Sequence, residues 1–398
     1  MSDDKLFAMK SLYVLLLFLF TAVLAQAQQP AGNKDGFKFS AEAAPEWTRL
    51  FERNSGWFGA DGIFSIPLSG VDKNNNGGND STLLLFSDTY IGDVKDGKPV
   101  HDTMVNNTIA YVKGNTADTA NIHFYYNKDA NGKPLSFFTP QTSTEKKPQL
   151  FWLGDGFVNK EMNNTLYIFG YKVERTGEGV FDFIEPDVSI IAIPKNSKPP
   201  FTGQRQIETP LHINNTLGEG NMGAGILVNT SWSGAVNPDG YIYVYGCIGA
   251  DKNLIAARVQ PKDFENMHAW RYWNGSSWSE NKDEMKPITN AVSNELSVSP
   301  MQNGKYILVF QVMGLSDKIG VRIGDSPVGP FSDIIEVWKA PEWEKGLWTY
   351  NAKAHPNLSK PGELLISYNT ITPDFWNDIK KDATIYHPRF FKLKFEDK

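Results

Sequence analysis

One pattern recurs five times along the chain and constrains its fold more than any other feature. Each copy is a run of apolar and aromatic residues that ends in a small or polar residue. The runs are TLLLFSDTY from residue 82, TLYIFGYKV from 165, YIYVYGCIG from 241, KYILVFQVMG from 305 and ELLISYNT from 363. Their starts lie about 70 residues apart on average, so the sequence predicts a repeating structural unit of that length.

Each run is one strand of a longer unit. A second strand-like run precedes it, a third follows it, and turns such as NNNGGND (74–80) and NPDG (237–240) separate them. Repeated antiparallel units of about four strands, with no convincing amphipathic helix, are typical of radial packing around a channel. We therefore predict an all-β fold, a five-bladed β-propeller with mostly antiparallel four-stranded blades. A two-sheet sandwich is the alternative, but it does not explain one motif order recurring five times.

The N-terminal residues predict export. Residues 1–27 are interpreted as a signal peptide, because Lys10 precedes the apolar run SLYVLLLFLFTAVLA and Ala25-Gln26-Ala27 forms a small-x-small cleavage site. A retained anchor is the alternative, although the run is shorter than the roughly 20 residues that a spanning helix needs. Residues 28–54 are predicted to be an extension or a ring-closing strand, and residues 55–396 to form a single propeller domain.

Charge and cysteine content exclude several classes of partner. The formal net charge is -6 and no basic block stands out, so we expect no nucleic-acid partner. We also expect no association with the membrane once the signal peptide is removed. The single cysteine, Cys247, excludes intrachain disulfides and multi-thiolate metal sites. An exported chain without disulfides fits a bacterial periplasm or medium better than a eukaryotic secretory route.

Carboxylates are predicted to gather at one end of the channel. In a meander blade, the start of the first strand and the end of the second lie on the same face. The strand starts carry Asp61, Asp155, Glu295 and His355, and the strand ends carry Asp88, Tyr171, Gln311 and Asn369. Clustered like charges raise one another's pKa, which separates an acid from a base or nucleophile. Each carboxylate also has a structural alternative as a turn residue, a strand cap or a solvated charge.

Several residues are candidates for substrate binding. Trp57, Trp232 and Trp348 lie in segments near the expected mouth, where amphipathic rings could stack on sugars. Gln311 and Asn369 end second strands. His355 is either a buried, hydrogen-bonded histidine, a substrate contact or a ligand of a central cation. No histidines are paired at zinc-site spacing, and no nucleophile elbow, P-loop or dinucleotide fingerprint is present.

These segments resemble a known superfamily. GADGIFSIPL and LLLFSDTYIG, with NELSVSP, SPVGPFS and YNAKAHPNL, are similar to segments of five-bladed propeller glycoside hydrolases of the arabinanase and β-xylosidase type. The likeness covers roughly residues 55–395 and is nearest to a bacterial group that contains endo-D-arabinanases. It implies Asp61 and Asp88 as the principal carboxylate pair, Glu295 as an acid and Asp155 as an orienting, pKa-tuning residue. The third repeat begins EGNMGAG without a carboxylate directly at its strand, and Glu219 is the nearest candidate.

The predicted function is an exported glycoside hydrolase that acts on a polysaccharide or a derived oligosaccharide. Asp61 would be the base or nucleophile, and Asp88 or Glu295 the acid. The reaction requires no cofactor. A non-catalytic carbohydrate-binding propeller is the alternative, and a calcium-dependent lactonase-type hydrolase stays open because an acidic mouth suits a central calcium ion.

Overall fold

A computed structural model describes residues 29–34, 37–73, 80–114, 116–141 and 149–396. The predicted signal peptide, residues 1–27, lies outside this part of the chain, so export stays a prediction of the sequence. Within the described ranges, no helix is both long and apolar enough to cross a membrane.

Strands dominate the described residues, as the repeats predict, and the two α-helices are single turns. The strands are β1 (Gln29–Lys34), β2 (Phe37–Ala43), β3 (Ser55–Ala60), β4 (Phe64–Pro67), β5 (Ser81–Phe86), β6 (Thr89–Lys95), β7 (Lys98–Val105), β8 (Thr108–Lys113), β9 (Ile122–Tyr125), β10 (Asn127–Lys128), β11 (Pro134–Leu135), β12 (Leu150–Asn159), β13 (Thr165–Arg175), β14 (Phe183–Ile193), β15 (Arg205–Glu208), β16 (His212–Asn215), β17 (Gly218–Asn229), β18 (Tyr241–Ile248), β19 (Asn253–Val259), β20 (Arg271–Trp273), β21 (Trp278–Ser279), β22 (Leu296–Pro300), β23 (Tyr306–Gln311), β24 (Lys318–Gly324), β25 (Ile335–Lys339), β26 (Trp348–Ala354), β27 (Glu363–Ile371) and β28 (Arg389–Glu396). The helices are α1 (Pro45–Thr48) and α2 (Phe375–Asp378).

These strands form antiparallel sheets that are mostly four-stranded, as predicted. Sheet 1 has the order β4-β5-β8-β9, sheet 2 β12-β13-β14-β15, sheet 3 β16-β17-β18-β19-β20-β21, sheet 4 β22-β23-β24-β25, and sheet 5 β1-β2-β28-β27-β26. A three-stranded ribbon, β3-β6-β7, continues from sheet 1, and β10 pairs with β11. Most strands pair with a neighbour in the sequence, whereas β5 pairs with β8 and β2 pairs with β28.

Middle strands are apolar on both faces because each sheet is covered on both sides. Successive side chains in a strand point to opposite faces. In β23, Ile307 and Val309 pack in a cluster with sheet 5, whereas Leu308 and Phe310 pack in a cluster with sheet 3. This explains why the recurring runs are continuously apolar rather than alternating.

Hydrophobic clusters fill the spaces between successive sheets. One cluster lies between sheets 1 and 2, one between sheets 2 and 3, one between sheets 3 and 4, and one between sheets 4 and 5. A further cluster joins sheet 5 to sheet 1 and the ribbon through Leu365, Phe390, Leu84 and Trp57. The last sheet therefore packs against the first.

Sheet 5 combines strands from both ends of the described chain. β2 pairs antiparallel with β28 from Lys38↔Glu396 to Ala43↔Phe391, and β28 pairs with β27. β1 and β2 therefore lie outside β28 in sheet 5.

The inner strands β4, β12, β17, β22 and β26 contact one another in that order around the centre. Three of them are irregular, with register shifts at Leu153/Gly156 in β12, Met222/Gly225 in β17 and Tyr350/Lys353 in β26. β-Bulges bend a strand and redirect its side chains, and they are common next to active sites. In β26 the shift lies between the polar residues Tyr350 and Lys353.

Candidate active site

Asp61 and Asp88 are cross-strand neighbours at the point where a long hairpin changes sheets. On one side of them β3 pairs with β6 in the ribbon, and on the other β4 pairs with β5 in sheet 1. The Asp61 N–H donates to the Asp88 carbonyl oxygen at 3.2 Å, and the Ser87 N–H donates to the Asp61 carbonyl oxygen at 3.0 Å. Directly opposed like charges repel across an antiparallel pair, so this arrangement couples the two carboxyl groups.

Gly62 gives the Asp61 segment room beside Glu295. Its φ is 52°, in the left-handed region that favours glycine. A Cβ at this position would lie 3.2 Å from Glu295 Oε1 and 3.2 Å from the Ser87 hydroxyl oxygen. The Asp-Gly pair therefore serves the local turn and also lets a third carboxylate approach Asp61.

Glu295 comes directly before β22 and is held by two donors from sheet 5. The Asn351 side-chain amide donates to Glu295 Oε1 at 2.8 Å, and the Lys353 ammonium contacts Glu295 Oε2. Glu295 is 9% exposed and Lys353 is 1% exposed. The pKa of Glu295 is raised above its ordinary value, because burial outweighs the lowering effect of the Lys353 charge and hydrogen bond. The ion pair therefore favours the ionised carboxylate.

The bulge in β26 directs three nearby side chains at these carboxylates. In a regular strand, adjacent residues point to opposite faces. Asn351 has a φ of 60°, and the register shifts between Tyr350 and Lys353. As a result Tyr350 donates its hydroxyl hydrogen to Asp61 Oδ2 at 3.0 Å, while Asn351 and Lys353 reach Glu295.

Asp61 is the carboxyl group whose surroundings most favour the protonated form. Burial raises its pKa to about 8, and the charges on Asp88 and Glu295 contribute. The Tyr350 and Tyr386 hydroxyls oppose this effect by hydrogen bonding. Asp61 Oδ1 is buried without a hydrogen-bond partner among the described residues, which makes a charge there costly.

Asp88 differs from Asp61 in its polar neighbours, although burial raises the pKa of both groups. Its Oδ1 accepts from the Asn106 amide at 3.1 Å and from the Trp152 indole N–H at 2.8 Å. Arg175 Nη2 lies 3.4 Å from Asp88 Oδ2. Burial raises the pKa of Asp88, whereas Asn106, Trp152 and Arg175 all lower it. Donors and a cation therefore stabilise the charge on Asp88, while Asp61 has no cation beside it among the described residues.

Asp155 links two inner strands by hydrogen bonds. Its Oδ1 accepts from its neighbour, the Gly156 N–H, at 2.8 Å, and its Oδ2 accepts from the Ile226 N–H of β17 at 2.8 Å. Burial raises the pKa of Asp155 to about 7. Both oxygens are engaged by backbone, so the structure ties sheet 2 to sheet 3 here and does not bring Asp155 into contact with Asp61, Asp88 or Glu295.

The three tryptophans expected at the mouth have different positions. Trp57 is 1% exposed, donates its indole N–H to the Thr108 hydroxyl and stacks on Phe124, so its prediction as a sugar contact is wrong. Trp232 is also misplaced, because it follows the end of β17 and bonds to Glu161, whereas Asp61 and Glu295 precede their inner strands. Trp348 begins β26, is half-buried and packs beside Tyr350, on the side of the mouth.

Gln311, Asn369 and His355 are buried structural residues, which corrects their prediction as substrate contacts. The Gln311 amide donates to the Thr349 hydroxyl at 3.1 Å, and the Asn369 amide lies 3.5 Å from the Ala60 carbonyl oxygen. His355 is fully buried, with Nδ1 2.9 Å from the Ser65 hydroxyl and Nε2 2.7 Å from the Ser367 hydroxyl. Burial lowers the pKa of His355 to about 3, with a contribution from Lys353.

A central calcium ion does not fit these residues. Across the described ranges, no group of three or more His, Cys, Asp or Glu side chains is arranged to hold a metal ion. Both nitrogens of His355 are engaged by hydroxyls. Glu295 already contacts the Lys353 ammonium, which also lies 4.3 Å above the Phe64 ring. The positive charge at this point of the channel is therefore part of the chain.

Several residues of the site were not found from the sequence. Trp152, Arg175 and Glu185 belong to sheet 2, and Tyr350, Asn351 and Lys353 belong to β26. The strand-end rule could not find β26 residues, because a bulge and not a strand end aims them inward. One signal was available: the lysine in NAKAH sits between two alanines of a strand, where an unpaired ammonium is unfavourable.

Glu219, the nearest carboxylate to the third inner strand in the sequence, points away from the centre. Its side chain is 63% exposed, and it lies 3.2 Å from His212 Nε2. Glu185 occupies the corresponding place instead. It reaches across from β14, and its Oε2 accepts from the Asn221 amide of β17 at 2.7 Å.

Comparison with known proteins gives the family and the fold. Residues 45–395 match the family model described as "Domain of unknown function (DUF5005)", and the chain belongs to this family. No curated protein matches the sequence. The chain shares its fold with the crystal structure of a "putative hydrolase" from Bacteroides ovatus ATCC 8483, with a TM-score of 0.67, 20% identity, and coverage of 92% of this chain and 93% of that one.

More distant similarities are to glycoside hydrolases. An α-L-arabinofuranosidase from Clostridium thermocellum ATCC 27405 has a TM-score of 0.42 and 13% identity, covering 77% of this chain and 82% of that one. A GH43 enzyme from Xanthomonas citri complexed with xylose has a TM-score of 0.42 and 11% identity, covering 88% and 93%.

Proposed function

We propose that this chain is an exported glycoside hydrolase that cleaves a polysaccharide, or oligosaccharides derived from one, at the mouth of a five-bladed β-propeller. The observation that carries the proposal is the contrast between Asp61 and Asp88. Glycoside hydrolysis needs one protonated and one ionised carboxyl group flanking the scissile bond. Burial raises the pKa of both groups, but only Asp88 has a cation beside it, and two carboxyl groups in such unequal surroundings meet that requirement.

The five-bladed ring is supported by the packing of the sheets. The hydrophobic clusters join sheets 1 to 5 in chain order and then join sheet 5 to sheet 1. Inner strands also contact one another in that order. Each of the five recurring runs is the second strand from the centre of one of these sheets.

Asp61 is the proposed acid and Asp88 the proposed base or nucleophile. This reverses the assignment that the sequence favours, and the reason is electrostatic. Burial raises the pKa of Asp61 to about 8, so it carries the proton that the glycosidic oxygen receives. Arg175, Asn106 and Trp152 stabilise the charged form of Asp88, so it can attack the anomeric carbon or activate water.

Glu295 is proposed to complete the site as a fixed negative charge. The transition state of glycoside hydrolysis resembles an oxocarbenium ion and carries positive charge on the sugar ring. Glu295 keeps its negative charge because Lys353 and Asn351 bind it. A preorganised charge stabilises such a transition state without reorganisation.

Export belongs to the same proposal and rests on the sequence of residues 1–27. Expression of the full chain in a bacterial host, followed by N-terminal sequencing of the periplasmic product, tests it. We expect the mature chain to begin at Gln28. Recovery of an uncleaved chain only in the membrane or cytosol fractions would contradict export and leave the proposed activity untouched.

The activity is tested by digesting a polysaccharide panel, including arabinans, xylans and galactans, and analysing the products. Asp61→Asn and Asp88→Asn should abolish product release while keeping the fold. Glu161→Gln is the control, since Glu161 bonds to Trp232 and not to the site. If the wild-type protein binds glycans but releases no product, the non-catalytic carbohydrate-binding alternative is correct.

A further inference from the structure

A cavity opens at the end of sheet 5 where β2 and β27 end and β26 and β28 begin. Its volume is about 860 Å³, within the range of about 300–1,000 Å³ typical of ligand pockets. Residues of α1, of β25, of the segment before β26 and of the segment between β27 and β28 enclose it. Asp61, Asp88 and Glu295 do not line it, so this cavity is separate from the proposed active site.

One short segment borders both the cavity and the proposed active site. Ile385 and His387 line the cavity. Tyr386, which lies between them in the sequence, donates its hydroxyl hydrogen to the Asp88 carbonyl oxygen at 3.2 Å. The same carbonyl oxygen accepts from the Asp61 N–H at 3.2 Å. The cavity is therefore next to the segment that contacts the two carboxylates.

A network of hydrogen bonds fixes the polar side chains in the buried part of the lining. The Tyr368 hydroxyl donates to Glu342 Oε2 at 2.7 Å, and Arg389 Nε lies 3.5 Å from Glu342 Oε1. Arg389 Nη2 donates to the Thr384 carbonyl oxygen at 2.6 Å. Tyr368 and Arg389 are also cross-strand partners in β27 and β28. The cavity therefore presents polar groups in set positions.

Two polar atoms of the lining residues are buried without a hydrogen-bond partner among the described residues. They are the indole nitrogen of Trp338, which is 7% exposed, and the hydroxyl oxygen of Thr372. Trp338 lies near the Tyr368 hydroxyl and Thr372 near the Asp378 carboxylate, but neither contact meets hydrogen-bond geometry. An unmade hydrogen bond of a buried group is costly, so a ligand with hydrogen-bonding groups gains binding energy here.

The charge of the lining selects the class of ligand. Four basic and four acidic side chains line the cavity. Burial, with a contribution from Arg389, lowers the pKa of His387 to about 3, so the lining has no net charge at neutral pH. An ion therefore gains no net attraction. A neutral sugar offers hydroxyls, which both donate and accept, and apolar ring faces that suit the rings of Trp338 and Tyr368.

We propose that this cavity is a second glycan-binding site, which holds a neutral glycosyl unit beside the proposed active site. The choice of a sugar rests on the proposed function, because a glycan held at Asp61 and Asp88 lies close to the cavity across Tyr386. Two linked sites raise the overall affinity for a ligand long enough to reach both of them. The second site therefore favours polymers over short oligosaccharides.

The test measures binding by calorimetry in the Asp61→Asn protein, so that the ligand is not cleaved. Trp338→Phe removes the indole N–H and keeps a ring to stack on Phe391, and Thr372→Val removes the hydroxyl. Trp273→Phe is the matched control, because Trp273 belongs to β20 of sheet 3 and does not line the cavity. The probes are arabino-, xylo- and β-1,3-galacto-trisaccharides, with unchanged melting temperatures as the criterion of folding.

At least one trisaccharide should bind at two sites of the Asp61→Asn protein. Trp338→Phe and Thr372→Val should each weaken one of these sites about tenfold, as expected for one lost hydrogen bond, and leave the other within about twofold. Trp273→Phe should change neither site. The proposal is overturned if neither substitution weakens any site. It is also overturned if each substitution weakens both sites equally, because the effect would then not belong to the cavity.

Failure of the proposed activity gives a different result. If the wild-type protein cleaves no glycan, but Trp338→Phe and Thr372→Val weaken a binding site about tenfold, the second site stands and hydrolysis is wrong. If the wild-type protein releases product, but no binding site depends on Trp338 or Thr372, hydrolysis stands and this inference is overturned. If it neither cleaves nor binds any probe, both are overturned.

Discussion

Lys353 and Glu295 form a buried ion pair that joins sheet 5 to sheet 4 at the channel. The ammonium contacts Glu295 Oε2 and lies over the Phe64 ring of sheet 1. Three inner strands therefore meet at one charge. The Lys353 charge also makes the two carboxyl groups differ in their protonation. It stabilises the ionised form of Glu295, whereas Asp61 has no equivalent partner.

Lys353→Met should destabilise the protein by about 3–5 kcal/mol, because removing one partner leaves a buried charge uncompensated. Adding Glu295→Gln to this variant should recover part of the loss, since the second change removes that charge. The free energy of unfolding in urea measures both effects. A double variant no more stable than Lys353→Met would contradict the role assigned to the pair.

Asp61→Asn should lower kcat by about 100-fold to 10,000-fold, as loss of a general acid does, and should stabilise the fold at high pH. Asp61 has a pKa of about 8 in the folded protein and about 3.9 when unfolded. Between these values the folded state binds the extra proton, so wild-type stability falls as pH rises. Asparagine is neutral throughout, so the difference in melting temperature should grow from pH 4 to pH 8. A constant difference would contradict the raised pKa.

Tyr350→Phe should move the alkaline limb of the pH–rate profile to higher pH. The Tyr350 hydroxyl donates to Asp61 Oδ2 and lowers the pKa of Asp61, so its loss raises that pKa and keeps the acid protonated further into the alkaline range. Glu219→Gln is the control, because the Glu219 side chain is exposed and contacts His212 rather than Asp61. A shift toward lower pH would reverse our assignment of Asp61.

Arg175→Met should move the acidic limb of the pH–rate profile to higher pH. Arg175 lowers the pKa of Asp88, and without it the carboxylate is protonated at a higher pH. Arg175→Lys, which retains the positive charge, should restore part of the shift. An unchanged acidic limb in Arg175→Met would show that Asp88 is not the ionised group of the reaction.

Gly62→Ala should impair activity more than Gly56→Ala does. Both glycines have positive φ, 52° and 69°, so alanine strains both turns. Only at Gly62 would the new methyl group meet Glu295 and Ser87, because nothing lies within 4 Å of a Cβ at Gly56. Melting temperatures and kcat/KM measured on both variants separate turn strain from displacement of Glu295. Equal effects on activity would exclude a role for the contact.

The sequence predicted the architecture better than the site, and particular residues show why. Runs such as TLLLFS and KYILVF indicate a strand that is buried on both faces. This property can be recognised from the residues of the run alone. The strand-end rule selected Asp61, Asp88 and Glu295, which the structure brings together. It could not select Tyr350, Asn351 or Lys353, because a bulge and not a strand end directs them at the carboxylates, nor Glu185, which reaches over from a third strand.

The aromatic predictions failed for a related reason. Trp57 lies in the first half of β3 and Trp348 begins β26, so their sequence contexts are alike. Trp57 packs on Phe124 and Phe51 in the core between sheet 5, sheet 1 and the ribbon, whereas Trp348 stays half-buried. Which face of a strand meets a neighbouring sheet depends on how the sheets assemble, and a single sequence does not contain that information locally.

The pairing of β2 with β28 has a consequence for folding. β2 also pairs with β1, which is adjacent in the sequence, whereas β28 lies about 350 residues further along the chain. A pairing of such high sequence separation forms slowly, because the long loop between the strands must close before the contact is made. Until β28 is in place, β2 and β27 each present an unpaired edge, which is a template for pairing with another chain.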